Sequence, residues 1–367
     1  AQRWSAVSRS HGIGSDMSRW KQVASAVFSI GLVIAVTWYF LPQFTSVADI
    51  KSSIDAMTTT ELVALGIAAV WNLVTYTFVM VTTMPGLTYR QAFVVTESST
   101  AVSNTVPGGG AIGVGMSYSM YSSWGFSRSR GSVSLLLSGV WNNFAKLALP
   151  ILAIAIVAIQ GGPGGGRLVA ALAGIGGLVF AIALFALLLR SEEGARSIGI
   201  RLGMIVSRLR GLFGRPPVEG WEIATTKFRA RTITLLRARW YWLTLATLVS
   251  HLSLFLVLLM ALRFVGVSGD DVSWAEVLAV FAFARLLTAI PFTPGGVGVV
   301  EIALITSLSS AGGPRAQVAA AVLMFRALTY VLPIPVGVGT YIFWRRNHSW
   351  RRPQGTAPRT ELVPESV

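Results

Sequence analysis

Nearly uncharged apolar runs succeed one another at about 23–42, 61–83, 132–159, 167–189, 241–264 and 316–343. Each is about 20 residues or longer, enough for one helix to cross the ~30 Å hydrocarbon core of a bilayer. Two further apolar stretches, about 88–125 and 274–312, are interrupted by proline and glycine. The quoted runs "SNTVPGGGAIG" and "PFTPGGVGVVE" (Pro291 to Glu301) mark those interruptions. Strict apolar–polar alternation of the kind a transmembrane barrel needs does not occur, so the pattern predicts helices and excludes a barrel.

Composition agrees. Of 367 residues, 53% are hydrophobic and only 12% charged, and mean hydropathy is +0.64. A soluble domain carries roughly twice that charge. The net charge of +15 gathers in three places. These are a tail with Arg3, Arg9, Arg19 and Lys21, the segment 190–240 with eleven basic residues against four acids, and the end with Arg345, Arg346, Arg351 and Arg352. Basic clusters between apolar spans set orientation and attract anionic lipid, so they do not point to nucleic acid. All three clusters are therefore expected in the cytoplasm. The loops at 43–60, 161–166 and around Gly269–Asp271 should face outward, and the protein is expected as a multi-pass span of the cytoplasmic membrane. No cysteine is present, so disulfides, thiolate chemistry and Cys-bound metals are excluded. The first apolar run is too long for a signal-peptide core and reads as a retained span.

Counting crossings against these orientations fixes the two interrupted stretches. Segment 88–125 begins near Arg90 and ends near Arg128 and Arg130, so both its ends are cytoplasmic. Segment 274–312 must begin and end outside. Each is expected as a re-entrant hairpin of broken helices, one from each face. Laid on each other, "PGGGAIGVGMSYSMYSSWG" (Pro107 to Gly125) and "PGGVGVVEIALITSLSSAG" (Pro294 to Gly312) share the leading Pro-Gly-Gly and a closing glycine eighteen residues on. Two such units of opposite orientation form an inverted repeat, as in many transporters. The fold expected is therefore an all-α polytopic membrane bundle. Its parts are a basic tail (1–21), a membrane domain (22–345) and a second basic tail (346–367). Within the domain, repeat one spans about 61–159, a cytoplasmic connector about 190–240, and repeat two about 241–343. In the connector, Ile198, Leu202, Ile205, Leu209, Leu212 and Phe213 form a helical apolar stripe, with Arg201, Arg208 and Arg215 on another face. That pattern suits a helix lying on anionic inner-leaflet lipid.

Broken backbone at membrane depth survives only beside protein or a wet cavity. A half-helix beginning near Val297 aims its N-terminal amides into such a cavity, where an anion is favoured. Pro107, Gly108 and Gly109 offer the same from the other face, opposite Pro294, Gly295, Gly296 and Gly298. Ionisable groups within spans mark pathways or pairs. Arg285 and Arg326 are assigned to a lipid phosphate, with Glu301 and Glu97 pairing with them or with a cationic headgroup. The bland counterpart is internal ion pairing that fixes helix packing. Lys146 reads as a snorkelling lysine, His251 as a satisfied core histidine, and Asn104, Asn142 and Asn143 as interhelical bonds. Gly108–Gly113 matches a dinucleotide-binding glycine pattern in form only, since no acid lies between Glu97 and Glu192. No P-loop, zinc-protease or nucleophile-elbow motif occurs. No catalytic residue, metal or cofactor is assigned.

The stretch "PFTPGGVGVVE" and the helix after it resemble the lysylphosphatidylglycerol synthase transmembrane (flippase-like) family, which includes the membrane half of the bacterial multiple peptide resistance factor. "SNTVPGGGAIG" is similar to that family's first-half motif. There the turn is often followed by a glutamate, and here it is followed by small apolar residues. The resemblance covers about residues 20–345. It implies movement of a lipid with a modified headgroup between leaflets. The resistance factors carry a soluble aminoacyl-transferase domain after the membrane region. This chain is expected to be the transport half alone, with a separate lipid synthase as a partner. Two other readings stand beside translocation: a membrane transferase with Glu301 as base, and a docking partner for a cytosolic synthase at 196–240.

Overall fold

The computed structural model describes residues 47–105, 109–161, 165–211, 220–288 and 296–351. The first apolar run, the first tail, the second tail beyond Arg351, Pro107, Gly108, Arg215, Pro291, Pro294 and Gly295 lie outside the described residues. All described regular structure is helical: α1 (Val47–Asp55), α2 (Thr59–Thr83), α3 (Tyr89–Thr105), α4 (Gly109–Ser123), α5 (Arg128–Gly161), α6 (Gly165–Arg190), α7 (Glu192–Gly211), α8 (Trp221–Phe264), α9 (Trp274–Leu287), α10 (Val299–Ser310), α11 (Arg315–Arg326) and α12 (Pro333–Arg346). A π-helical turn, Ala327–Val331, joins the last two. Four helical segments among the described residues are long and apolar enough to cross a membrane: Thr59–Thr83, Arg128–Val157, Thr225–Phe264 and Arg315–Arg346. A fifth is reached if Gly174–Leu187 and Glu192–Arg201, bent by 86° at their junction, count as one.

Local sequence sets where these helices start. Thr58 and Glu61 form a reciprocal capping box, with Glu61 Oε2 accepting from the Thr58 amide at 2.8 Å and Thr58 Oγ1 accepting from the Glu61 amide at 3.3 Å. Thr88 and Gln91 do the same before α3, and Ser273 and Glu276 before α9. Each satisfies helix-start amides that hydrocarbon cannot. The two interrupted stretches thus open with the same device.

They also close alike. After α4 the Phe126 amide donates to Tyr121 O, and after α10 the Gly313 amide donates to Leu308 O. Gly125 and Gly312 stand at φ 84° and 123° at these turns, where a side chain would be strained. These are the glycines the sequence alignment paired.

Within the first stretch, α4 doubles back on α3. A Cβ on Gly113 would lie 2.9 Å from Ser99 O, and one on Gly109 would lie 2.8 Å from Ser103 Cα. The pairing runs antiparallel, and only glycine lets the backbones meet so closely. In the second stretch α9 ends at Leu287 and α10 begins at Val299. The expected interruption is present, and α9 packs on α10. At its feet, a Cβ on Gly312 would lie 2.6 Å from Asp271 O.

The segment Arg315–Arg346 serves as a ruler. It pairs antiparallel with α3: Ser98 bonds Thr340 at 2.9 Å, while Asn104 meets Tyr330. The feet of the first hairpin therefore lie at the α12 end, where Trp344 Nε1 donates to Ser123 Oγ at 3.1 Å and Trp124 meets Trp350 edge-on. The feet of the second hairpin lie at the other end, where Gly313 abuts Val318. The tip of the first hairpin reaches Tyr330, the middle of the ruler.

Helix α8 is the main departure from the sequence reading. It runs 44 residues without a break, about 66 Å, so the connector and the fifth apolar run share one helix. Exposed Trp240, Tyr241 and Trp242 sit where it leaves the bundle at the α12 end, and α7 packs along the projecting half. Arg229 of α8 donates to Leu189 O at 2.7 Å and Arg190 O at 2.9 Å, satisfying the last carbonyls of α6. Arg201 and Arg208 are exposed on α7. The side chains of Ile198, Leu202, Ile205 and Leu209 lie outside the described set, as do Leu212 and Phe213.

Candidate functional site

Both hairpins and three other helices border one chamber of about 530 Å³. Ser103 and Asn104 come from α3, Asn142 and Lys146 from α5, Leu254 from α8, Arg285 and Thr288 from α9, Val300 and Leu304 from α10, and Arg326, Thr329 and Tyr330 from α11 and the π turn. Its size is that of a small-ligand pocket. It lies level with the middle of the Arg315–Arg346 segment.

Sequence explains why backbone is irregular there. Pro333 has no amide to give Thr329 O, and Pro335 none for Val331 O, so the regular hydrogen-bond ladder is broken at Thr329 and Val331. The π turn absorbs the defect, its Leu332 amide donating to Ala327 O at 2.8 Å. Such turns recur at functional sites, and here the turn carries Thr329 and Tyr330 into the chamber. Pro150 inside α5 has the matching effect one turn earlier, since it leaves the Lys146 carbonyl without its helical donor.

Arg326 is held on two sides. Its Nε donates to Glu301 Oε1 at 2.5 Å, and its guanidinium lies 4.5 Å over the Tyr330 ring, a favourable cation–π placement. Glu301 Oε2 accepts from the Gly298 amide at 2.7 Å, which caps α10. Both carboxylate oxygens are therefore engaged. Tyr330 in turn ties the hairpins together. Its hydroxyl donates to Asn104 O at 2.7 Å, and Asn104 Nδ2 donates to Tyr330 O at 3.1 Å.

Arg285 is placed differently. Its Nε is buried without a hydrogen-bond partner, and it lines the chamber. Of the two arginines expected beside Glu301, it is Arg326 that pairs with it. Lys146 is only 8% exposed, so it does not snorkel: it lines the same chamber as Arg285. That role was not legible, because a lysine's direction depends on which face of α5 meets α9. His251 is 2% exposed. Its Nδ1 bonds Thr247 O at 3.0 Å but its Nε2 is unpartnered, so it is half satisfied rather than fully so. Asn142 lines the chamber, and Asn143 turns back to Gly139 O.

Glu97 does not line the chamber. It is 2% exposed with Oε2 unpartnered, and its backbone carbonyl lies against Gly337 of α12. Gly109 sits in the hairpin contact described above, Gly296 beside Thr288, and Gly298 before α10. Among the described residues no cluster of three metal-ligating side chains occurs.

Fold and chamber together define a polytopic helical membrane protein with a cationic polar site among broken helices. The chain belongs to the lysylphosphatidylglycerol synthase TM region family, whose model matches residues 23–337. Membership ties it to the metabolism or transport of membrane lipids. Among curated proteins none matches the chain.

Proposed function

We propose that the protein moves a phospholipid or lipid-linked headgroup across the cytoplasmic membrane. The headgroup passes through the chamber while its tails stay in lipid. The observation that carries this reading is Arg285: a half-buried guanidinium whose Nε is enclosed without a partner, free of carboxylates, on the chamber bordered by two broken helices. An uncompensated buried charge is costly unless something pairs with it, and the phosphate of a lipid supplies that partner. Arg326, neutralised by Glu301 and stacked on Tyr330, joins the hairpins rather than competing for phosphate.

Re-entrant hairpins in an inverted repeat fit this reading, since the feet of the two stretches lie at opposite ends of Arg315–Arg346. Arg90, Arg128, Arg345 and Arg346 gather at one end, and Asp270, Asp271 and Glu276 lie with Arg263 and Arg315 at the other. The excess of positive charge at the first end supports a cytoplasmic α12 end, α7 and termini by the positive-inside rule. Exposed Arg201 and Arg208, with Arg215, face anionic lipid there, and a separate lipid synthase would dock on the same side. Glu301, with both oxygens occupied, is poorly placed as the base of a transferase.

The test is reconstitution of the full chain into liposomes with a fluorescent phospholipid and a membrane-impermeant quencher. Quenchable lipid should exceed half of the total with no new lipid species formed, and Arg285→Ala should remove the excess while still inserting. A covalently altered lipid, or equal movement by Arg285→Ala, overturns the proposal.

A further inference from the structure

The charges around the chamber do not balance, and the imbalance has a size. No Asp or Glu is among the described residues that line it. Glu301, the nearest carboxylate in this network, is consumed by Arg326 and the Gly298 amide. Glu97 belongs to the α3–α12 contact instead. Lys146 from α5 and Arg285 from α9 are left, and among the described residues neither side-chain cation has an ion-pair or hydrogen-bond partner. His251, close enough to feel both, adds no negative charge. Its Nδ1 faces a carbonyl and so carries the proton in the neutral ring.

Two like charges held together in a low-dielectric site repel each other and lack solvation. A monoanion relieves one of them. We infer that the chamber is built for a lipid headgroup bearing two negative charges on one phosphoryl unit, a phosphomonoester or diphosphate lipid, with Arg285 as the primary anion contact and Lys146 as the residue that sets the preference for a dianion. A phosphodiester lipid, with one charge, satisfies Arg285 and leaves Lys146 unpaired. Asn142 lines the same space and offers a neutral amide donor for a remaining phosphoryl oxygen, while the Thr288 and Thr329 hydroxyls already donate to the Arg285 and Phe325 carbonyls.

The inference takes its lipid from the translocation reading, while its charge comes from the chamber itself. Binding and movement therefore need separate measurements. Intrinsic tryptophan fluorescence of the full chain in neutral detergent would report affinity for three short-chain probes: phosphatidic acid, phosphatidylglycerol and phosphatidylcholine. Inorganic phosphate is the fourth. A charge-assisted contact is worth roughly tenfold or more in affinity. Phosphatidic acid should therefore bind about tenfold tighter than phosphatidylglycerol, and phosphatidylcholine weakest. Lys146→Met should erase the preference of the first over the second by weakening phosphatidic acid alone, Lys146→Arg should keep it, and Arg285→Met should weaken both. Comparing the probes on the unmodified protein tests the inference even if a variant fails to fold. Equal affinity for mono- and diester lipids, or an unchanged preference in Lys146→Met, overturns it. Inorganic phosphate binding as tightly as the lipid overturns the assignment to lipid. Should the preference hold while liposomes show no lipid movement, the dianion site stands and translocation falls.

Discussion

Replacing Glu301 by glutamine keeps shape and removes one charge. The wild-type carboxylate accepts two bonds, from Arg326 Nε at 2.5 Å and from the Gly298 amide at 2.7 Å. A glutamine has one acceptor oxygen, so one of these donors must face the new NH2 group. A hydrogen bond to a charged partner contributes about 1.5–3 kcal/mol. The side chains are 18% and 13% exposed, so solvent screens little of that. Arg326 keeps its Tyr330 ring, about 0.5–2 kcal/mol, which limits how far it relaxes. The expected loss is about 2–3 kcal/mol of stability, with lipid movement cut strongly because the freed guanidinium competes for the headgroup. The double replacement Glu301→Leu with Arg326→Leu should be less destabilised than Glu301→Leu alone, since a buried pair replaced by apolar groups leaves no orphan charge. Thermal unfolding in detergent, followed by the fraction remaining monodisperse, measures all variants. If the double variant loses as much as the two single ones summed, Glu301 and Arg326 are not coupled and this account of the hairpin junction is wrong.

Three further outcomes are expected. Gly337→Ala would place its Cβ 2.5 Å from Ala101 Cβ and against the Glu97 carbonyl. Backbone cannot yield as a side chain does, so about 3 kcal/mol or more should be lost, whereas Gly339→Ala, with nothing near its Cβ, should be neutral in the same melt. Tyr330→Phe keeps the ring under Arg326 but drops the bond to Asn104 O, costing about 1 kcal/mol; a larger cost would mean the hydroxyl does more than join hairpins. In this cysteine-free chain, a cysteine at Asp270 should react with an impermeant maleimide on intact cells, and one at Arg201 only after permeabilisation. The reverse pattern would invert the assigned topology.

Much of this was readable from residue order alone. Long apolar runs gave the spans, Pro and Gly marked where α3–α4 and α9–α10 part, and the paired glycines 125 and 312 proved to end their helices with the same turn. The capping boxes at Thr88 and Ser273 were also present in the letters, as S/T-x-x-E/Q, though nothing in a single hydropathy trace weighs four polar residues against twenty apolar ones. What could not be read is which charge meets which. Glu97 and Arg285 hold matching places relative to their Pro-Gly breaks, yet one ends against α12 and the other in the chamber. The difference lies in neighbours far along the chain: Gly337 makes room for the α3 backbone, while α5 brings Lys146 to the chamber that Arg285 lines.

That asymmetry bears on mechanism. If the two hairpins are related by an inverted repeat, they have not kept equivalent chemistry: the second supplies Arg285, Glu301 and the capped start of α10, while the first supplies the Asn104 amide that grips the π turn. The π turn is thus held by the first hairpin through Tyr330, and the residue just before it, Arg326, by the second through Glu301. A regular helix there would rotate Tyr330 away from Asn104, because one residue fewer per turn shifts every later side chain by about 100°.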